Sequence, residues 1–216
     1  MGIVAYYLHV DTEQFQALRE RPALVWDLRS DPRFASARLF DIDKDWQIIS
    51  WLVSDKKRRE QEQNEATSRV MAREDAGNLM DDDAAWKAAI EEARMKLGIE
   101  KEDTDAIPTD MLLQAIEGRG TEHQHDPAFN FGLGGARVFA PAEVQAIVAA
   151  FGAMSEASLR AIFNRELMAK FDVGDIRWLD ETDAVFEEIL LPEFRAMKLF
   201  FQEAGQAKHY ALVIYQ

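Results

Sequence analysis

The chain alternates between short, dense apolar runs and long polar stretches, and the spacing of its apolar positions defines the elements. Residues 3–10 (Ile-Val-Ala-Tyr-Tyr-Leu-His-Val) are β-branched and aromatic and read as a strand. Asp11-Thr12 then caps a short helix marked by Phe15 and Leu18, which ends near Arg21-Pro22. Leu24 to Leu28 forms a helix or a buried turn, and Asp31-Pro32 is a turn. Ile42, Trp46, Ile49 and Val53 recur at spacings of four, three and four, which sets a helix over 41–53 with Trp46 on its buried face. Asp43 or Asp45 caps its start, because a short acceptor side chain satisfies the orphan backbone N–H groups there. From Asp55 to Asp75 the residues are almost wholly polar, with Lys56/Glu60 and Arg58/Glu62 at ion-pairing distance along a solvated helix. Asp81-Asp82-Asp83 caps another helix with the stripe Trp86, Ala89, Ile90, Ala93 and Leu97, stopped by Gly98.

The second half follows the same rules. Pro108 opens a helix carrying Met111, Leu112, Ala115 and Ile116, and Thr121 to Pro127 is a loop. Arg137-Val138-Phe139 reads as a strand, Pro141 and Glu143 begin a helix, and Ser155 caps the next one. A long apolar helix runs from Asp183, divided at Pro192 and ended by Gly205. His209 to Tyr215 is a closing strand and the natural partner of the first. The expected fold is α+β: one helix-dominated domain over 1–216, with a small sheet containing the N- and C-terminal strands. Residues 54–126 form an acidic helical insert within it.

Charge changes this picture more than composition does. The chain has no cysteine, which excludes disulfides, thiolate metal sites and thiol nucleophiles. Lys and Arg number 25 against 39 Asp and Glu, a formal net charge of -14. Residues 55–126 carry a net of -8 and residues 172–193 a net of -7, which leaves +1 for the remainder. Two concentrated negative stretches repel nucleic-acid phosphates and anionic membranes and attract basic proteins. No apolar run approaches the roughly 20 residues of a membrane span, and the first residues read as a strand, not a secretory signal. A cytoplasmic protein that binds neither nucleic acid nor membrane is expected.

Several segments are arranged in a familiar order. Met-Gly-Ile-Val-Ala-Tyr-Tyr at the start, Leu-Phe-Asp-Ile-Asp-Lys-Asp-Trp at 39–46 and Gly-Leu-Gly-Gly-Ala-Arg-Val-Phe-Ala-Pro-Ala-Glu-Val at 132–144 resemble a YfbM-like domain. So does the ending of Phe-rich helix, glycine turn and apolar strand. The resemblance covers about 1–53 and 127–216. It implies an α+β fold in a set of uncharacterised bacterial proteins, with no catalytic residues to carry over. The insert at 54–126 is much longer than that family's usual connection. Other small acidic bacterial proteins sit beside toxins as immunity proteins, an analogy of function alone.

Candidate chemistry is sparse. Asp41, Asp43 and Asp45 open like a calcium loop, but Trp46 and Leu52 stand where such a loop needs Gly and Glu. Glu122, His123, His125 and Asp126 group four potential ligands in a loop, without a second cluster to close a metal site. His9 and His209 lie in the two proposed partner strands and read as structural. Gly132, Gly134 and Gly135 fail the dinucleotide fingerprint and read as a turn; no nucleophile elbow, phosphate loop or zinc-protease helix occurs. No cofactor or metal is therefore expected. The leading expectation is a non-enzymatic immunity protein whose partner is a basic toxin, a nuclease in the first instance. Asp81, Asp82, Asp83, Asp180, Glu181 and Asp183 form its partner face. The alternatives are a small-molecule enzyme with a carboxylate-lined pocket near Asp41, Asp43 and Trp46, and a housekeeping scaffold domain.

Overall fold

The computed structural model describes residues 3–28, 30–73, 83–99, 110–118, 127–174 and 176–216. The chain forms two compact units, one of residues 1–54 and 107–216 and one of residues 55–106. The larger unit is built on four antiparallel strands: β1 (Ala5–Val10), β2 (Arg38–Asp41), β3 (Arg137–Phe139) and β4 (Tyr210–Tyr215). Their order is β2-β1-β4-β3, so the two terminal strands are neighbours, as expected, and occupy the centre of the sheet. β1 and β4 pair along their full length, from Ala5 opposite Tyr215 to Val10 opposite Tyr210. The edge strand β2 lies directly before the helix that carries Trp46, with Leu39 opposite Leu8.

Strand alternation sends side chains to two cores. Ala5, Tyr7, Phe139, Ala211 and Val213 face a helical layer, whereas Leu8, Val10, Val138, Leu212 and Ile214 face a thinner one. The thin layer consists of α1 (Thr12–Glu20) and short 3-10 turns at Pro22–Trp26, Pro32–Phe34 and Pro127–Phe129. Asp11 and Gln14 cap α1 reciprocally: the Gln14 N–H donates to Asp11 at 2.8 Å and the Asp11 N–H to the Gln14 side chain at 3.0 Å. The buried Gln14 amide also donates to the Arg33 carbonyl and Ser36 hydroxyl, which fixes the Pro32–Phe34 turn against α1.

The helical layer contains α2 (Trp46–Val53), α5 (Met111–Glu117), α6 (Pro141–Ala153), α7 (Glu156–Ile162), α8 (Arg165–Lys170) and α9 (Leu191–Ala207). The other unit holds α3 (Asp55–Arg73) and α4 (Asp83–Lys96) around a small core of Met71 and Ala93. In α3, Lys56–Glu60 and Arg69–Glu65 ion pairs confirm the solvated helix read from its charges.

Three expectations change. The compact unit that begins at residue 55 does not take in α5, which belongs to the larger unit: its Leu112, Leu113, Ala115 and Ile116 are all buried, and a short helix buried on every side needs a core around it. For the same reason α2 is buried all round from Ile48 to Val53, with Trp51 fully enclosed. Trp46 is only half-buried at its first turn; its indole N–H donates to the Ile3 carbonyl at 3.0 Å and its ring lies 5.0 Å from that of Tyr215. Finally, α9 does not end at Gly205. It runs on to a left-handed Lys208, and Gly205 is where α6 comes close, with the Gln145 amide donating to its carbonyl at 2.6 Å. The division at Pro192 holds: a π-helical turn at Phe186–Leu190 leads into α9, with Pro192 in its first turn.

Candidate partner-binding surface

The loop between α8 and the π-helical turn is held in one shape by two buried or half-buried anchors. Trp178 is fully enclosed, and its indole N–H donates to the Val173 carbonyl at 2.6 Å. Arg165, just after the Asn164 cap of α8, reaches across the loop. Its guanidinium donates to the Glu181 carbonyl at 2.6 Å, the Trp178 carbonyl at 3.2 Å and the Asp183 carboxylate at 2.8 Å. An arginine fork supplies several donors in fixed geometry, so one side chain fixes three successive points of the loop. Between those points the Asp180 N–H closes a turn on the Arg177 carbonyl at 2.8 Å. The turn presents Leu179, 70% exposed, followed by exposed Asp180 and Glu181. The loop thus displays an exposed leucine beside two acids on a backbone fixed by internal hydrogen bonds.

Asp183 is exposed as well, with 63% of its side chain accessible, but its carboxylate is paired. It accepts from Arg165 and lies 3.5 Å from the Arg160 guanidinium, which also stands over the Phe163 and Phe186 rings and 4.0 Å from Glu187. Its hydrogen bond from Arg165, reinforced by both arginine charges, holds its carboxyl below the usual range. The charge count along 172–193 missed these cations because they come from α7 and α8, outside the stretch. Asp83 opens α4 as expected, in the smaller unit; Asp81 and Asp82 lie outside the described residues, as do Glu122, His123, His125 and Asp126.

A second cluster lies at the start of α2. Asp41 ends β2, Asp43 adopts a left-handed backbone with φ 47°, and Asp45 occupies the cap position without bonding the helix N–H groups there. Instead the Asp45 carboxyl interacts with that of Glu193 in the first turn of α9, where one Glu193 oxygen is enclosed without a hydrogen-bond partner; two carboxyls held together away from water favour protonation of one of them. Burial first, then the charge of Asp45, pushes Glu193 up to about 8; burial also raises Asp45. No local spacing pairs residues 45 and 193, so the sequence offered no signal for this contact.

Two cavities among the described residues lie elsewhere. One of about 680 Å³ is lined by residues such as Leu8, Leu28, Pro32, Phe34 and Leu39, and an adjoining one of about 420 Å³ by Tyr6, Val25, Trp26 and Ile214. Asp41, Asp43 and Trp46 line neither. Among the described residues no group of three or more His, Asp or Glu side chains is arranged to hold a metal ion. Gly132, Gly134 and Gly135 form a turn with positive φ at each, against which Arg137 folds to donate to the Gly134 and Gly135 carbonyls. Among the described residues no helix is long and apolar enough to cross a membrane.

Comparison with solved structures finds the crystal structure of a protein of unknown function, YfbM, from Escherichia coli. It is 14% identical, with 99% of each chain covered and a TM-score of 0.54, so the two share a fold. No curated protein matches the chain. The family model described as Domain of unknown function (DUF1877) matches residues 1–94 and 109–214, taking in most of the stretch read as an insert and leaving 95–108 outside. With nearly the whole chain matched, this protein belongs to that family of domains of unknown function.

Proposed function

We propose that this protein is a non-enzymatic immunity protein that acts in the cytoplasm and neutralises a cognate basic toxin by binding it. The observation that supports this most is the Arg165-braced turn, which displays Leu179 with Asp180 and Glu181. Pre-ordering a loop removes much of the entropic cost of docking it, and an apolar anchor with a charged rim is the usual anatomy of a tight interface. The excess of acid over base, 39 against 25, gives the long-range attraction. Toxins that act on nucleic acid carry basic surfaces to hold phosphates, so a nuclease is the partner class that fits best.

The test is affinity capture from the native bacterium with the wild-type chain and with a Leu179→Asp, Asp180→Lys, Glu181→Lys variant. A basic protein retained by the wild type and lost from an equally stable variant is expected. Equal retention, or recovery of no basic protein, contradicts the proposal.

The enzymatic alternative has one observation in its favour, the partly buried, interacting carboxyl pair of Asp45 and Glu193. Such a pair can hold and release a proton near neutral pH. Neither cavity described above reaches it, which leaves the binding role as the better-supported reading.

A further inference from the structure

The two central strands are joined by a contact that backbone pairing does not require. His9 on β1 and His209 at the entry to β4 meet Nδ1 to Nδ1 at 3.0 Å, 200 residues apart in sequence. His9 is buried, its ring 5.1 Å from that of Phe200, and its Nε2 is enclosed with no hydrogen-bond partner. His209 is half-exposed and follows the left-handed Lys208 that ends α9. The pair therefore ties the first strand to the junction between the last helix and the last strand.

We propose that the His9–His209 pair is an acid-sensitive clasp, closed when both imidazoles are neutral and loosened by the uptake of a proton. Two neutral rings make this bond with one donor and one acceptor, and His9 can then keep a bare nitrogen inside the pocket. One added proton removes that freedom. If it resides on His209, His9 must accept through Nδ1 and carry its own hydrogen on Nε2. If it resides on His9, both its nitrogens carry hydrogens. Either way an N–H group is enclosed at Nε2 without an acceptor, the costly kind of unsatisfied group. A second proton sets two donors against each other across the 3.0 Å contact.

The surrounding charges act in the same direction. Arg38 lies directly opposite His9 in the register of β2, and its guanidinium pairs with Glu203 of α9, which moderates that cation. Lys208, exposed on the same turn as His209, adds a further positive charge. Burial, then His209, then Arg38 lower the His9 imidazole from 6.5 to about 4. For a base lowered on folding, the unfolded chain binds the extra proton between those two values. The stabilising contribution is therefore complete above 6.5 and is lost as pH falls through about 4.

The test compares urea unfolding of the wild type and of His9→Leu from pH 7 to pH 4, alongside imidazole nitrogen spectra of the folded wild type. Taking the difference removes the carboxylates common to both chains. The wild-type unfolding constant is expected to rise faster on acidification than the variant's, by up to about tenfold per pH unit within the window. The ring signal lost in His9→Leu is expected to stay neutral in the wild type at pH 5. Superimposable pH profiles, or a His9 ring already charged in the folded protein at pH 6, overturn the proposal. Should His9→Leu fail to fold, the ring spectra of the wild type decide alone.

Discussion

At the scale of single residues, the informative groups are those whose environment departs from what their neighbours in sequence suggest. Asp45 reads as a helix cap, yet its carboxyl turns to Glu193, a partner 148 positions away that no periodicity could supply. Trp46 reads as the buried anchor of its stripe, while Trp51, off that stripe, is the enclosed tryptophan. The stripe assumed one buried face, but α2 is buried on every side. Glu193 gives a measurable consequence. Its folded value of about 8 lies above the ordinary 4.5, so its stabilising contribution is complete below 4.5 and is lost as pH rises through 8. Wild-type stability in urea should fall over that window, and Glu193→Gln, which keeps a hydrogen-bonding group but cannot ionise, should fall less. Parallel profiles for the two chains would show that no proton is held there.

At the scale of elements, the terminal strands, α1, the solvated α3 and the break at Pro192 were legible because each rests on local chemistry: β-branched runs, an aspartate cap, i,i+4 charges and a missing N–H. The edge strand β2 was not, since four residues are too few to establish a period of two. The apolar residues of α5 were read in the sequence, but the acidic surroundings of 54–126 assigned the helix to the insert. The loop at 173–183 shows why candidate sites are harder than elements. Asp180 and Glu181 were proposed from charge alone, whereas the arginine that braces their loop belongs to another element. Arg165→Ala removes three contacts at once and should raise amide exchange at Trp178–Asp183 by at least about tenfold. Global stability should fall by only about 1–2 kcal/mol, because the contacts are half-exposed. Unchanged exchange in that loop would mean that Arg165 does not hold it.

At the scale of the whole molecule, charge and fold play separate parts. The larger unit supplies rigidity through a sheet covered on both faces, and the exposed acids supply the field. The formal -14 already counts Arg160 and Arg165, which lie beside Asp183; its magnitude falls only where Glu193 holds a proton near neutral pH. What remains at the Leu179 turn is compact and well ordered, and its contribution is read most directly in association kinetics. Once the captured basic partner is in hand, its on-rate should be measured for wild type and for Asp180→Lys/Glu181→Lys over about 20 to 300 mM salt. The wild-type rate should fall by about tenfold or more across that range as screening shortens the reach of the field. The double variant should start slower and vary less with salt, at an unchanged melting temperature. Equal rates and equal salt dependence in the two proteins would contradict a partner face at this turn.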